Sequence, residues 1–173
     1  AKTDYEVSLG KSSGVSTKVR LSEVETLQYH LDTNFDVNVY IGKKKGHASS
    51  VDLGKESLNR AIESACLIAK YTQEDPFNGL APKERLAWQV PELDLYHFWD
   101  LDAKKSIDIA KECEAIALEQ PEIDNSDGAE ISSFEGESIY ANSSGLAARA
   151  KSTRHSLHCS LIAKREEEMQ TAY

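Results

Sequence analysis

The sequence predicts an α+β fold: a two-layer sandwich in which a mainly antiparallel sheet carries two helices packed on one face. Three observations predict it. Apolar residues alternate with a period of two from Tyr5 to Asp52 and again from Ile123 onward. Two intervening stretches, after Gly54 and after Asp102, repeat apolar residues at helical spacing. Short polar turns join the first period-two runs, as in an antiparallel meander.

Taken in order, Tyr5, Val7 and Leu9 alternate as a first strand, and Gly10–Gly14 reads as a turn into Val15–Leu21. There Val15, Thr17, Val19 and Leu21 share a face. Val24–Leu31 is a third strand whose buried face is ambiguous, turned at Asp32-Thr33-Asn34 into Phe35–Ile41. The tip Gly42-Lys43-Lys44-Lys45-Gly46 leads to a fifth, small-residue strand, His47–Asp52. The helix after Gly54, ending near Thr72, buries Leu58, Ala61, Ile62, Ala65, Ile68 and Ala69. From Gln73 to Asp100 turn signals mix with Phe77, Trp88, Phe98 and Trp99, predicting a long crossing segment pinned by aromatic anchors. Asp102 N-caps a helix over 103–119, with Ile107, Ala110, Cys113 or Glu114, Ala117 and Leu118 inward, and Pro121 stops it. Strands return with Ala129, Ile131 and Ser133, the turn Asn142-Ser143-Ser144-Gly145, a run over Leu146–Ala163 and a last piece at Gln170–Tyr173.

A chain of 173 residues fits one domain with a core of its own. The net charge of −9 disfavours nucleic acid as a partner, because phosphate binding needs a basic surface. Lys43-Lys44-Lys45, the one compact basic run, reads as a solvated turn. No run of about 18 apolar residues exists to span a membrane, and no signal-peptide pattern is present. Cys66, Cys113 and Cys159 form no CxxC and no disulfide framework. They read as buried small hydrophobes in a reducing, cytoplasmic setting. The chain starts at Ala1 without an initiator Met, so the expectation is a partial chain.

No catalytic constellation is legible. Gly10-Lys11-Ser12 lacks the upstream glycine of a phosphate-binding loop, since Tyr5 stands there. His30, His47, His97, His155 and His158 form neither HExxH nor HExxxH. His155 and His158, in His155-Ser156-Leu157-His158-Cys159, are the nearest approach to a ligand cluster, but residues three apart on a strand point to opposite faces. No G-x-S-x-G elbow surrounds Ser152, Ser156 or Ser160. The expected set of catalytic, cofactor-binding and metal-ligating residues in this chain is therefore empty.

Several stretches in series resemble the N-terminal region of the TldD/PmbA family, and its PmbA (TldE) branch more closely. They are GVSTKVRLSEVETLQY at Gly14–Tyr29, NVYIGKKKGHASSVDL at Asn38–Leu53, IAKYTQEDPFNGLAPKE at Ile68–Glu84, PELDLYH at Pro91–His97, IYANSSG at Ile139–Gly145 and STRHSLHCSLIA at Ser152–Ala163. The resemblance implies a single N-terminal-type α+β domain over 1–173 of a longer protein, with a C-terminal domain absent here. It implies a cytoplasmic zinc metallopeptidase assembled from a TldD-type subunit, which carries HExxxH and the zinc, and a PmbA-type subunit, which lacks that motif. It further implies action on extended or unfolded peptides, including maturation of a microcin-type antibiotic and degradation of an antitoxin. The alternative is a non-proteolytic, protein-binding regulator of the DNA gyrase modulator type.

Overall fold

The structure, a computed structural model, describes residues 3–173; Ala1 and Lys2, where the chain opens, lie outside the described residues. The elements are β1 (Thr3–Arg20), β2 (Glu23–Ile41), β3 (Lys44–Ser50), α1 (Lys55–Tyr71), a 3₁₀ turn (Lys83–Arg85), α2 (Ala103–Leu118), β4 (Ile123–Asn142), β5 (Ala147–Arg165) and β6 (Glu168–Ala172). The strands make an antiparallel sheet ordered β3-β2-β1-β4-β5-β6, so the α+β class holds.

Two long strands and one short one, rather than five short ones, precede α1. The turns expected at Gly10–Gly14 and Asp32–Asn34 do not form, and β1 and β2 run unbroken for 18 and 19 residues. The two glycines serve close approach instead of reversal. A Cβ on Gly10 would lie 2.2 Å from Asn34 Oδ1, and one on Gly14 would lie 2.4 Å from the Phe134 ring and 2.5 Å from the Ser133 carbonyl. The reversal comes at Leu21-Ser22, both at positive φ (49° and 65°), the backbone of a two-residue hairpin loop. Leu21 consequently sits at a hairpin tip, 53% exposed, and not on the buried face with Val15 and Val19.

The described residues divide into two compact units: one of residues 3–12, 32–95 and 136–151, the other of residues 13–31, 96–135 and 152–173. In the first, β2 and β3 pair antiparallel from Phe35↔Ser50 to Ile41↔Lys44. Helix α1 buries Ala61, Ala65 and Ala69 on Phe35, Val37 and Val39. Its contact face is alanine because the helix backbone lies against the sheet: a Cβ on Gly46 would stand 1.9 Å from the Ala65 carbonyl oxygen. Ile62 and Ile68, expected inward, are exposed for the same reason. The lysine tip is partnered rather than merely solvated. Lys43 Nζ donates to the Asn78 carbonyl (2.9 Å), Lys44 Nζ to the Lys70 carbonyl (3.4 Å), and Lys45 Nζ lies 5.8 Å from the Tyr40 ring centre. The segment after α1 is less anchored than its aromatics suggest. Phe77 is 92% exposed, and Trp88, Val90 and Leu93 are exposed too.

In the second unit α2 begins where expected: the Asp102 carboxylate accepts from Lys105 N at 2.7 Å. Ala110 packs on Val15, Val19, Ala129 and Ile131, with Leu101 closing the cluster. Two polar residues share this buried face. Ser106 Oγ donates to the Ala103 carbonyl (2.8 Å), which leaves Thr17 Oγ1 to donate to Ser106 Oγ (2.7 Å). Glu114 is the other. Cys113 and Cys159 lie at the border of the cluster, partly buried like Cys66, rather than fully inside. Val7 of β1 joins the α1 cluster, and Val15 and Val19 of β1 join the α2 cluster.

Candidate functional site

The second unit holds an open cleft of about 270 Å³. Its aromatic lining comes from Tyr29 on β2, Phe98 and Trp99 on the segment before α2, and Phe134 on β4. Its polar lining includes Ser133 and Glu135 of β4, Asp100, and Thr153 and His155 of β5. On β5, Thr153 and His155 are spaced two apart and so project on one side of the strand, whereas β4 contributes the consecutive residues Ser133, Phe134 and Glu135.

The wall formed by residues 97–101 is tied to β5 by backbone and side chain. His97 N donates to Thr153 Oγ1 at 2.9 Å, and His155 Nε2 donates to the His97 carbonyl at 2.9 Å. A carbonyl only accepts, so Nε2 carries a proton in that bond, and Nδ1 pairs with the Ser133 hydroxyl at 3.0 Å. Trp99 meets the His155 ring edge-on, with centroids 5.4 Å apart and planes at 87°. Both ring nitrogens of His155 are thereby occupied in holding the wall. His158 is elsewhere, its ring 5.7 Å from that of Tyr173. The pair considered from sequence is not brought together, and among the described residues no three His, Cys, Asp or Glu side chains gather as a metal-binding group. Of the remaining histidines, His30 also lines the cleft, pairing with Ser16 Oγ (2.9 Å) and tilting on Phe134, while His47 is elsewhere and faces Asn38 and Asp36.

Glu135 is the carboxylate at the cleft. Its Oε1 accepts from Ser13 Oγ (3.3 Å) and its Oε2 from the Tyr96 hydroxyl (2.9 Å), both neutral donors. That hydrogen bond to a carboxylate pushes the Tyr96 phenol upward. Asp100 is already beside Lys105 Nζ, at 3.9 Å.

Next to the cleft runs a free strand edge. β3 pairs with β2 only over Phe35–Ile41, so among the described residues no strand flanks the outer side of Glu23–Leu31. This stretch is exposed on both faces and carries Val24, Leu27, Tyr29 (72% exposed) and Leu31. Tyr29 belongs to both edge and cleft. Sequence reasoning found neither. The signal was present in the ambiguous parity of Val24–Leu31, where apolar residues fall on odd and even positions alike, as an uncovered edge strand permits.

Comparison with known proteins places this geometry in a family. Residues 5–69 match the PmbA/TldA metallopeptidase domain 1, and residues 96–173 match the PmbA/TldA metallopeptidase central domain. The Haemophilus influenzae metalloprotease PmbA homolog is 40% identical over 174 residues, covering 100% of this chain and 39% of the relative. Metalloprotease PmbA of Escherichia coli O157:H7 is 36% identical, covering 97% of this chain and 38% of the relative. The chain thus spans about two fifths of the length of these relatives. Among solved structures, a candidate modulator of DNA gyrase from Bacteroides thetaiotaomicron superposes with a TM-score of 0.86 at 25% identity, over 98% of this chain and 39% of that one. TldE from Thermococcus kodakarensis shares the fold, with a TM-score of 0.71 at 17% identity over 96% of this chain and 37% of that one. With two consecutive domain descriptions of one family matched in order and PmbA relatives aligned along its whole length, the chain belongs to the PmbA/TldD metallopeptidase family, on its PmbA (TldE) side.

Proposed function

We propose that this chain is the substrate-receiving part of a PmbA/TldE-type subunit, which works with a TldD-type subunit as a cytoplasmic zinc metallopeptidase on unfolded peptides. Microcin-type maturation and antitoxin degradation are the substrate classes that the family resemblance suggests. The observation that carries the reading is the unpaired edge of β2 over Glu23–Leu31 beside an aromatic cleft. Unpaired N–H and C=O groups along a strand accept an extended peptide as a further strand, and the alternate side chains of that peptide then need pockets. Holding a peptide supplies no activated water, so cleavage belongs to the TldD-type partner with its zinc. The exposed Phe77, Trp88, Val90 and Leu93 support a protein partner, since such apolar surface favours burial.

The test is hydrogen exchange on the chain with and without an unstructured peptide, combined with a cleavage assay with and without a TldD-type subunit. Slowed exchange of the 23–31 amides, no cleavage by the chain alone and chelator-sensitive cleavage with the partner are expected. Chelator-sensitive cleavage by the chain alone would overturn the division of roles. Binding of a folded protein such as gyrase, with no response to peptides, would favour the regulatory reading.

A further inference from the structure

We propose that the cleft is a specificity pocket for one cationic side chain, lysine or arginine, of an extended peptide. This rests on the peptide-receiving reading above and adds to it the chemistry of the residue recognised. Two observations support it. The walls are aromatic, with Tyr29, Phe98 and Trp99 presenting exposed ring surface, and ring faces attract ammonium and guanidinium groups. The carboxylates at the cleft are Glu135 and Asp100, and among the described residues no lysine or arginine lines it. Two imidazoles also line it, His155 held by Ser133 and the His97 carbonyl, and His30 held by Ser16.

Glu135 is the group poised to receive the charge. Both its oxygens are positioned by neutral hydroxyls, Ser13 on one side and Tyr96 on the other, which fix its orientation, and among the described residues no cation pairs with it. Asp100 shares its charge with Lys105, so it adds to the field without being the principal contact. A volume of about 270 Å³ suits a single side chain rather than a larger ligand. The long alkyl stem of lysine or arginine lies against rings while its head reaches the carboxylate. Because Tyr29 lies on the free edge itself, a strand paired there passes the mouth of the cleft.

The experiment uses the whole chain in a Trp88→Phe background, where Trp99 is the remaining tryptophan and reports on the cleft by fluorescence. The probes are three extended peptides identical except for one central residue: lysine, arginine or norleucine. Lysine and arginine peptides are expected to bind about tenfold more tightly than the norleucine peptide. Glu135→Gln is expected to shrink that preference to about twofold or less while thermal melting is unchanged. Phe98→Ala, at an exposed position, is the second variant and is expected to weaken the lysine peptide about threefold or more. Equal binding of all three peptides, or a preference that survives in both variants, overturns the pocket assignment and leaves the peptide-receiving reading standing. Absence of binding by any of the peptides overturns both.

Discussion

The carboxylate of Glu114, on α2, clamps the hairpin tip at Ser22: its Oε2 accepts from Ser22 N at 2.9 Å while its Oε1 accepts from Leu21 N at 2.9 Å. Two consecutive N–H groups of a tight turn converge on one anion, and the side chain is fully buried. Substituting Glu114→Ala should destabilise the chain by about 2–3 kcal/mol, the range of hydrogen bonds to a charged group. Glu114→Gln should recover part of that, since its one carbonyl oxygen can still accept. Urea denaturation of the two variants checks the order.

The same clamp sets an acid limit. Burial pushes the Glu114 carboxyl up, but the Ser126 hydroxyl, the Ser22 and Leu21 amides and the nearby Arg20 together outweigh it and hold the group below its ordinary value of 4.5. A carboxyl depressed in the folded state stabilises above its unfolded pKa, and that contribution is lost as pH falls through the folded value. Stability should therefore start to fall below about pH 4.5 and continue downward, and the Glu114→Gln variant should lose less over that window. Thermal melts from pH 7 to pH 3 provide the comparison.

At the alkaline end the sign reverses. Glu6 Oε1 accepts from Tyr40 OH (2.7 Å) and its Oε2 from Tyr140 OH (2.8 Å), and both phenols are raised, by burial first and by the Glu6 carboxylate in addition. Raised groups contribute stability that is present below the unfolded value near 10 and lost as pH rises through the folded one. Ultraviolet titration of the folded chain should show Tyr40 and Tyr140 ionising above the ordinary value of 10, and Glu6→Gln should bring both forward. Ionisation of every tyrosine together near pH 10 would contradict the network.

Gly46 should tolerate no side chain. A Cβ there meets the Ala65 carbonyl oxygen at 1.9 Å and Ala69 N at 2.5 Å, both helix backbone, so α1 would have to lift from β3. Gly46→Ala is expected to cost about 3 kcal/mol, at the upper end of overpacking penalties. Gly42→Ala is the control. No atom lies within 4 Å of its Cβ position, but its φ of 65° makes the substitution mildly strained, about 1 kcal/mol. Circular dichroism melts rank the two.

Cys159 should be a slow thiol. Burial and the adjoining Cys113 push it up to about 11, so the reactive thiolate is scarce at pH 8. Alkylation followed by mass spectrometry should label Cys159 more slowly than a model thiol in the same buffer.

The sequence by itself determined which main segments are strand and which are helix, and the ends of both helices, because these depend on neighbours within a few residues. Asp102 caps its own turn, Pro121 follows the end of α2, and alternation around Val37 or Ile131 needs only a covered face. It also carried the family, through motifs distributed in series. What only tertiary structure decided was how long each strand ran and what lay beside it. Gly10 and Gly14 look like turn residues locally, yet Asn34 and Phe134 occupy the space that their side chains would fill, so the chain continues straight. Glu114 looks like one option on a helix face, and becomes a buried clamp because a hairpin tip distant in sequence delivers two amides to it. The cleft joins Tyr29, Trp99, Glu135 and His155 from four separate segments, and no local pattern records that meeting, because the energy that holds it comes from contacts between residues far apart in the chain.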